Sequence, residues 1–429
     1  MGTIFLPFVL VLFVSIAASV FASRREKDFF LASRAIRWPL LMGTFVGTHI
    51  GGGFLIGNTD AVAREGLSGA VYSLGLCIGM VFLGMGWGPR LRGLCVGTLP
   101  ELLGKRYGSV ALKKVAACLT ICSLSGILIS QAVGLKQVLV SMDAGPGFFV
   151  VSWALVVIYT SVGGLLAVVW TDLLQASIMV LMLVVLFITL LVPEWSTLVE
   201  QVRKVEGVQG ISLSSIVFPV CYMFVTQDMA QRCFAAKTAQ DATKGCLGTA
   251  LVFLLLSVVP VGVGLLAKSQ GIVPEDGSVF MQMVDLCASP WLRTVTVSTL
   301  LLAIVSTAST ILLALSSNVV QDLALPHSKM ITLVIGLVAL LGPWFGDDII
   351  SWIVTSNALS VSTLFVPIIV AVWSTRGVLP AASAWSGFGF GLIGFFIGRI
   401  WPDMSVYAPF LCSALGFSLF WHRRKVSLA

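Results

Sequence analysis

The chain has 429 residues, 58% of them apolar and 10% charged, against roughly 25% charged residues in an average soluble chain. Its mean hydropathy of +1.02 exceeds what a soluble fold can bury behind a charged exterior. The net charge of +7 therefore belongs to loops on one side of a membrane rather than to a nucleic-acid surface, and the expectation is an all-α polytopic membrane protein.

A span needs about 20 mostly apolar residues, and charge, Gly and Pro mark the loops. On that basis about 13 transmembrane helices are predicted, at roughly 3–22, 39–63, 69–93, 111–140, 147–167, 169–192, 212–235, 245–267, 291–322, 330–345, 349–374, 379–400 and 405–422. The first has no basic residue ahead of its apolar run and Arg24, Arg25 and Lys27 behind it. It reads as a signal-anchor helix that starts outside, not as a cleaved leader. With that start, 19 of the 26 Lys and Arg fall on the cytoplasmic side, so the N-terminus is expected outside and the C-terminus inside. The loops near 193–211 and 268–290 are too short for an independent fold.

Two spans are interrupted. The second holds Gly47, Thr48, His49, Ile50, Gly51, Gly52 and Gly53 in succession; each Gly weakens a helix by about 1 kcal/mol relative to Ala. The bland reading is close helix packing; local unwinding that frees carbonyl groups is the sharper one. The seventh carries Pro219 and then Thr226, Gln227 and Asp228. With the first helix as an extra, spans two to six and seven to eleven make two sets of five. Five is odd, so the second set starts on the opposite face. Breaks at corresponding positions of inverted repeats point to a transporter's central site.

Intramembrane charge is costly, about 2.5–3.5 kcal/mol for Asp at a helix centre. Asp172, with Thr171 and Gln175 within a turn, reads as functional over an acid snorkelling to the interface. Asp228 and Arg232, at i and i+4, are expected to pair with each other. Asp60 is read as a gate or a plain interface residue. In the ninth span, Ser306 and Thr307 either back-bond to their own helix or join the unwound carbonyls as hard ligands for a hard cation. Nine scattered cysteines without C-x-x-C and only three histidines give a zinc site few ligands. No nucleophile–base pair or phosphate loop suggests an enzyme, and no cofactor is expected.

The run Tyr159-Thr160-Ser161-Val162-Gly163-Gly164-Leu165-Leu166-Ala167-Val168-Val169-Trp170-Thr171-Asp172-Leu173-Leu174-Gln175 resembles the signature of the sodium:solute symporter family. Asp28 to Arg34, Gln231-Arg232 with Ala235-Ala236-Lys237, and Ser306-Thr307 followed by Asn318 and Asp322 resemble further stretches of it. The resemblance covers about 28–376. It implies a five-plus-five inverted-repeat core with one helix before it and two after: an extra helix and turn in 1–27, repeats in 28–193 and 194–376, and two helices with a basic tail in 377–429.

It also implies a sodium site of Gly47, Ile50, Ala303, Ser306 and Thr307. Asp172 matches an acid beside which some members hold a second sodium, but a hydroxyl of those members is replaced by Ala303, so one sodium is implied. For the solute it points to His49, Gly51, Gly52 and Gly53, with Phe224 and Gln227 from the interrupted seventh span. His49 reads equally as an imidazole satisfied by a neighbouring helix. Lys136 matches a place where some relatives keep a cation for a substrate carboxylate, with snorkelling as its bland reading.

The expectation is thus sodium-coupled symport of a small organic solute, a carboxylate or amino acid, by alternating access in a bacterial inner (plasma) membrane. Sodium, the solute and the bilayer are its partners, without nucleic acid or an obligate protein partner. Proton coupling through Asp172 or His49, and a non-transporting solute sensor, are the alternatives.

Overall fold

The apolar runs fold as helices throughout, and the only strand-like pairing among the described residues is one isolated bridge between Ile36 and Ala236. This computed structural model describes residues 2–25, 28–142, 144–203, 213–272, 278–346, 349–375, 377–401, 404–405 and 407–421; Lys27 and residues 204–211 of the loop 193–211 lie outside them. In chain order the principal helices are α1 (Gly2–Arg25), α2 (Trp38–His49), α3 (Asn58–Glu65), α4 (Val71–Phe82), α5 (Leu99–Tyr107), α6 (Val110–Ser141) and α7 (Pro146–Leu186). There follow α8 (Leu213–Val225), α9 (Gln227–Ala235), α10 (Ala239–Leu256), α11 (Val258–Ser269), α12 (Pro290–Ser317), α13 (Ser328–Ala339), α14 (Ile349–Trp373), α15 (Ala381–Ile400) and α16 (Tyr407–Leu419).

Seven described helices are long and apolar enough to cross a membrane, and shorter apolar helices accompany them. One of the seven, Pro146–Leu191, runs for 46 residues. At about 1.5 Å per residue it would be roughly twice as long as the ~30 Å hydrocarbon core. It is divided at Gly164, where φ is 60° and ψ is −158°. A Cβ there would meet the Phe29 carbonyl oxygen at 2.5 Å, and the next N–H, of Leu165, donates to that same oxygen at 2.9 Å. Only glycine supplies both the left-handed φ and the clearance.

Burial sorts the helices into layers. The apolar window of Pro290–Asp322 is 100% buried, whereas that of Ala381–Ile400 is 33% buried. The helix α12 is therefore central, with α6 and α7 against it and α2 beside it, and α15 and α16 pack together at the edge. The large apolar side chains left exposed, such as Leu181, Leu251, Leu255 and Ile393, suit a lipid-facing surface.

Both expected interruptions occur. The helix α2 ends at His49, Ile50 leaves helical geometry at φ −78° and ψ 66°, and the helix resumes after Gly52. The helix α8 runs through Pro219 and stops at Val225; Thr226 is extended at φ −79° and ψ 130°, and α9 restarts at Gln227. Pro219 does not make the break. It comes seven residues earlier, where its ring packs against the glycine of the neighbouring α4, Gly75.

Candidate functional site

The broken α2 lies against α12, and glycine is what lets it come so near. A Cβ on Gly47 would sit 2.9 Å from Ser306 Oγ and 3.0 Å from the Asp172 carbonyl oxygen; one on Gly51 would sit 2.6 Å from Thr307 Oγ1. Across this contact Thr307 Oγ1 donates to the Thr48 carbonyl at 2.8 Å and lies 3.0 Å from the Ala303 carbonyl. The structure thus gathers Gly47, Gly51, Ala303, Ser306 and Thr307 around the break, with Ile50 fully buried there. Every polar atom named in this contact is oxygen, the donor type that suits a hard cation.

Asp172 stands directly behind that contact. Its Oδ1 accepts from Ser306 Oγ at 2.6 Å, and its Oδ2 accepts from Thr44 Oγ1 at 2.5 Å and from Arg232 Nη2 at 3.2 Å. Arg232 also donates through Nε to Thr44 at 2.8 Å and through Nη2 to Thr310 Oγ1 at 2.5 Å. Both partners are buried, at 0% exposure for each residue. Asp172 does not snorkel, the reading the sequence disfavoured. One expectation is corrected here. Arg232 does not pair with the carboxylate of Asp228: its Nη1 donates to the Asp228 backbone carbonyl at 3.0 Å, while its charge goes to Asp172. A carboxylate with two hydroxyls beside it outcompetes one that is a single helical turn away.

Beside the break lies a cavity of about 240 Å3 lined by His49, Gly51, Gly53, Thr307 and residues of α3, α4, α6, α8, α9 and α14. His49 Nδ1 sits 3.3 Å from the Phe45 carbonyl and its ring is 5.3 Å from that of Phe253, so Nδ1 carries a proton and Nε2 is the atom left for other contacts. Asp228 lines the cavity too. Its carboxylate is hydrogen-bonded by Thr226 Oγ1, which also lies 2.8 Å from the Tyr222 hydroxyl.

Four residues expected at the solute site do not line this cavity. Gly52 faces the Ile304 side chain. Gln227 turns away and is fixed by backbone: its Oε1 accepts from Leu99 N–H at 2.9 Å and its Nε2 donates to the Gly97 carbonyl at 3.3 Å. Phe224 packs edge-on to Trp87 at 5.0 Å and against Phe365 at 6.2 Å. Lys136 lies over the Trp344 ring at 6.0 Å and does not line the cavity; there a cation–π contact and a long stem account for it. Asp60, read as a gate or a plain interface residue, accepts from Val279 N–H at 3.0 Å, the first N–H of the short helix Val279–Cys287 whose N-cap is Ser278.

The sequence reading missed Asn58, Tyr72, Gln131, Tyr222 and Asn357, all of which line the cavity. Their polarity inside apolar spans was the available signal.

The comparisons with known proteins decide the family. The model of the sodium:solute symporter family matches residues 29–378. The chain belongs to that family. It is 27% identical over 301 residues to the sodium/proline symporter of Haemophilus influenzae, covering 60% of this chain and 59% of that one. To the sodium/pantothenate symporter of Escherichia coli it is 24% identical over 397 residues, covering 82% and 81%. The chain thus spans about three fifths of the proline symporter it matches. Both relatives are transporters, not enzymes. A Na+-coupled sialic acid symporter, solved in a substrate-bound outward-open state, superposes with a TM-score of 0.78 at 15% identity, over 96% of this chain and 97% of that one. The nucleobase-cation-symport-1 family transporter Mhp1 gives 0.62 at 14% identity, over 90% and 92%. These likenesses establish the inverted-repeat transporter fold of the family.

Proposed function

We propose that this protein is a secondary symporter that couples one sodium ion to the movement of a small organic solute. The observation that carries the reading is the meeting of the α2 break with Ser306 and Thr307. Carbonyls of Gly47, Ile50 and Ala303 and the two hydroxyls form the proposed ion site, and Gly51 admits the Thr307 hydroxyl where any larger residue would collide. Asp172 supports a count of one ion, because Arg232 already matches its charge. The same pairing argues against Asp172 as a proton carrier. The cavity beside the break is the proposed solute site, with 28–193 and 194–376 as the two repeats and thirteen spans in all.

Alternating access follows from ligands that prefer one arrangement of the broken helices over the other. Sodium ties α2 to α12, and solute binding next to Thr307 is favoured once that tie is made; the coupling is reciprocal. The far end of the bundle is closed. There Arg92 hydrogen-bonds the Ala236 and Lys237 carbonyls. Thr98 Oγ1 donates to Asp322 Oδ1 at 2.7 Å, and Lys113 Nζ is 3.3 Å from the same oxygen. This basic end is read as the cytoplasmic gate of an inner-membrane protein whose N-terminus lies outside.

The test is thermal stability of the purified protein in sodium, potassium or choline chloride at fixed ionic strength, with Ser306→Ala/Thr307→Ala alongside. Sodium-specific stabilisation lost in the double variant is expected. Equal curves in all three salts for the wild-type protein sink the sodium site.

A further inference from the structure

The charges around the cavity select one class of solute. Asp228 lines it and is 3% exposed, yet its carboxylate takes one hydrogen bond, from Thr226, among the described residues. Arg232, the nearest cation in sequence, spends its guanidinium on Asp172, Thr44 and Thr310 and reaches Asp228 only at its backbone carbonyl. Among the described residues that line the cavity none is Lys or Arg. A buried carboxylate without a cation is expensive unless something brings one.

Two further polar atoms wait in the same cavity: Asn58 Nδ2 and Asn357 Oδ1 are buried without a hydrogen-bond partner, and both residues line it. Buried polar groups are seldom left unpaired without a reason. Polar Thr48, His49, Gln131 and Thr307 share the lining, and most of the remainder is aromatic or aliphatic, with Phe54, Tyr72, Leu76, Tyr222 and Ile353 among it. One carboxylate, one spare amide donor, one spare amide acceptor and apolar walls describe a receptor for a compact cation.

The geometry points to a solute that carries a protonated amine or quaternary ammonium on an apolar frame, with Asp228 as its counter-ion. This rests on the reading of the cavity as the solute site. It replaces the expectation of a bare carboxylate held by Lys136, which lies outside the cavity. An anionic solute would set its charge against Asp228 with no Lys or Arg among the described lining residues to offset it. A zwitterion fits, because a sodium ion bound at Thr307 would add a positive charge to the lining of the same cavity.

The test uses the purified full chain, in sodium, with five probes: pyrrolidine, L-proline, choline, cyclopentanecarboxylate and D-glucose. At least one of the three ammonium-bearing probes is expected to raise the melting temperature, and neither of the other two. In Asp228→Asn the ammonium probe is expected to bind at least about thirtyfold more weakly, the scale for losing one partner of a buried charge pair. The stabilisation by sodium alone should persist, which shows that the variant is folded. Asp228→Glu keeps the charge and is expected to retain the preference for ammonium probes at intermediate affinity. Stabilisation by cyclopentanecarboxylate or glucose, an ammonium response untouched in Asp228→Asn, or no response to any ammonium probe overturns the inference. Loss of the sodium effect with Asp228-dependent ammonium binding intact would instead break the coupling reading and leave this one standing.

Discussion

Asp172 and Asp228 are both buried aspartates in the core of the bundle, and both approach Arg232. Their surroundings make them opposites. Asp172 has the guanidinium and hydroxyls of Thr44 and Ser306 on its two oxygens. Asp228 has one hydroxyl and an open cavity. The first is a closed account of charge that holds α2, α7, α9 and α12 together; the second is complete only with a ligand. Whether an intramembrane acid is structural framework or binding site is thus decided by whether the protein itself supplies the cation.

The largest effect should come from breaking the closed cluster. Arg232→Met leaves Asp172 buried without its partner and is expected to cost about 3–5 kcal/mol of stability, read as a large drop in melting temperature in detergent. Asp172→Leu/Arg232→Met removes both charges and should recover much of that loss. A double variant as unstable as the single one would mean that the hydroxyl contacts, not the ion pair, hold the helices. Asp228→Asn should move stability the other way. Without solute it relieves an uncompensated charge, a gain on the order of 1–3 kcal/mol; a marked loss would show that Asp228 has a structural partner after all.

Much of this comparison was legible in the sequence, and the part that was not has a common cause. The glycines at 51–53 and the Thr226-Gln227-Asp228 step announced two broken helices because local composition alone disfavours a continuous helix there. The hydroxyls at 306 and 307 stood out for the same local reason. Partners across the fold left no such trace. Arg232 lies 60 residues from Asp172, and one turn from Asp228 was the only pairing that helix spacing offers. Gln227 looked like a ligand through the family resemblance, whereas backbone 128 residues away in sequence satisfies it. Lys136 pointed to a carboxylate through its match to a cation in some relatives, and the Trp344 ring of a neighbouring segment takes it elsewhere.

The glycine step at the break tests whether close approach, rather than flexibility, is what matters. Gly51→Ala would place a methyl 2.6 Å from Thr307 Oγ1, so the hydroxyl must swing from the Thr48 carbonyl. Overpacking of this kind costs about 1–3 kcal/mol, and the lower half of that range is expected because a Thr side chain rotates. Sodium-dependent stabilisation should fall with it. If Gly51→Ala keeps the full sodium response, the proposed ion site does not need the Thr307 hydroxyl at this position.

The smallest effect lies at the closed end, outside the spans. Glu101 sits in the first turn of α5, where its N–H donates to the capping Thr98 Oγ1 at 3.0 Å and its Oε2 accepts from Gly97 N–H at 2.7 Å. Partial burial alone would raise its carboxyl pKa, but the hydrogen bonds from Lys105 and Gly97 and the nearby charge of Lys113 hold it below the ordinary value. A depressed carboxylate adds stability that is whole above the unfolded value of about 4.3 and disappears as pH falls through the lower folded one. With Lys105 partly in solvent the contribution is a few tenths to about 1 kcal/mol. Lowering the pH below about 4.3 should therefore reduce the melting temperature of the wild-type protein slightly more than that of Glu101→Gln. Because Thr98 also donates to Asp322, the same small loss loosens the link between α5 and the end of α12. A Glu101→Gln variant with unchanged acid sensitivity would place the pH dependence of this end on other groups and leave the Thr98–Asp322 contact independent of its cap.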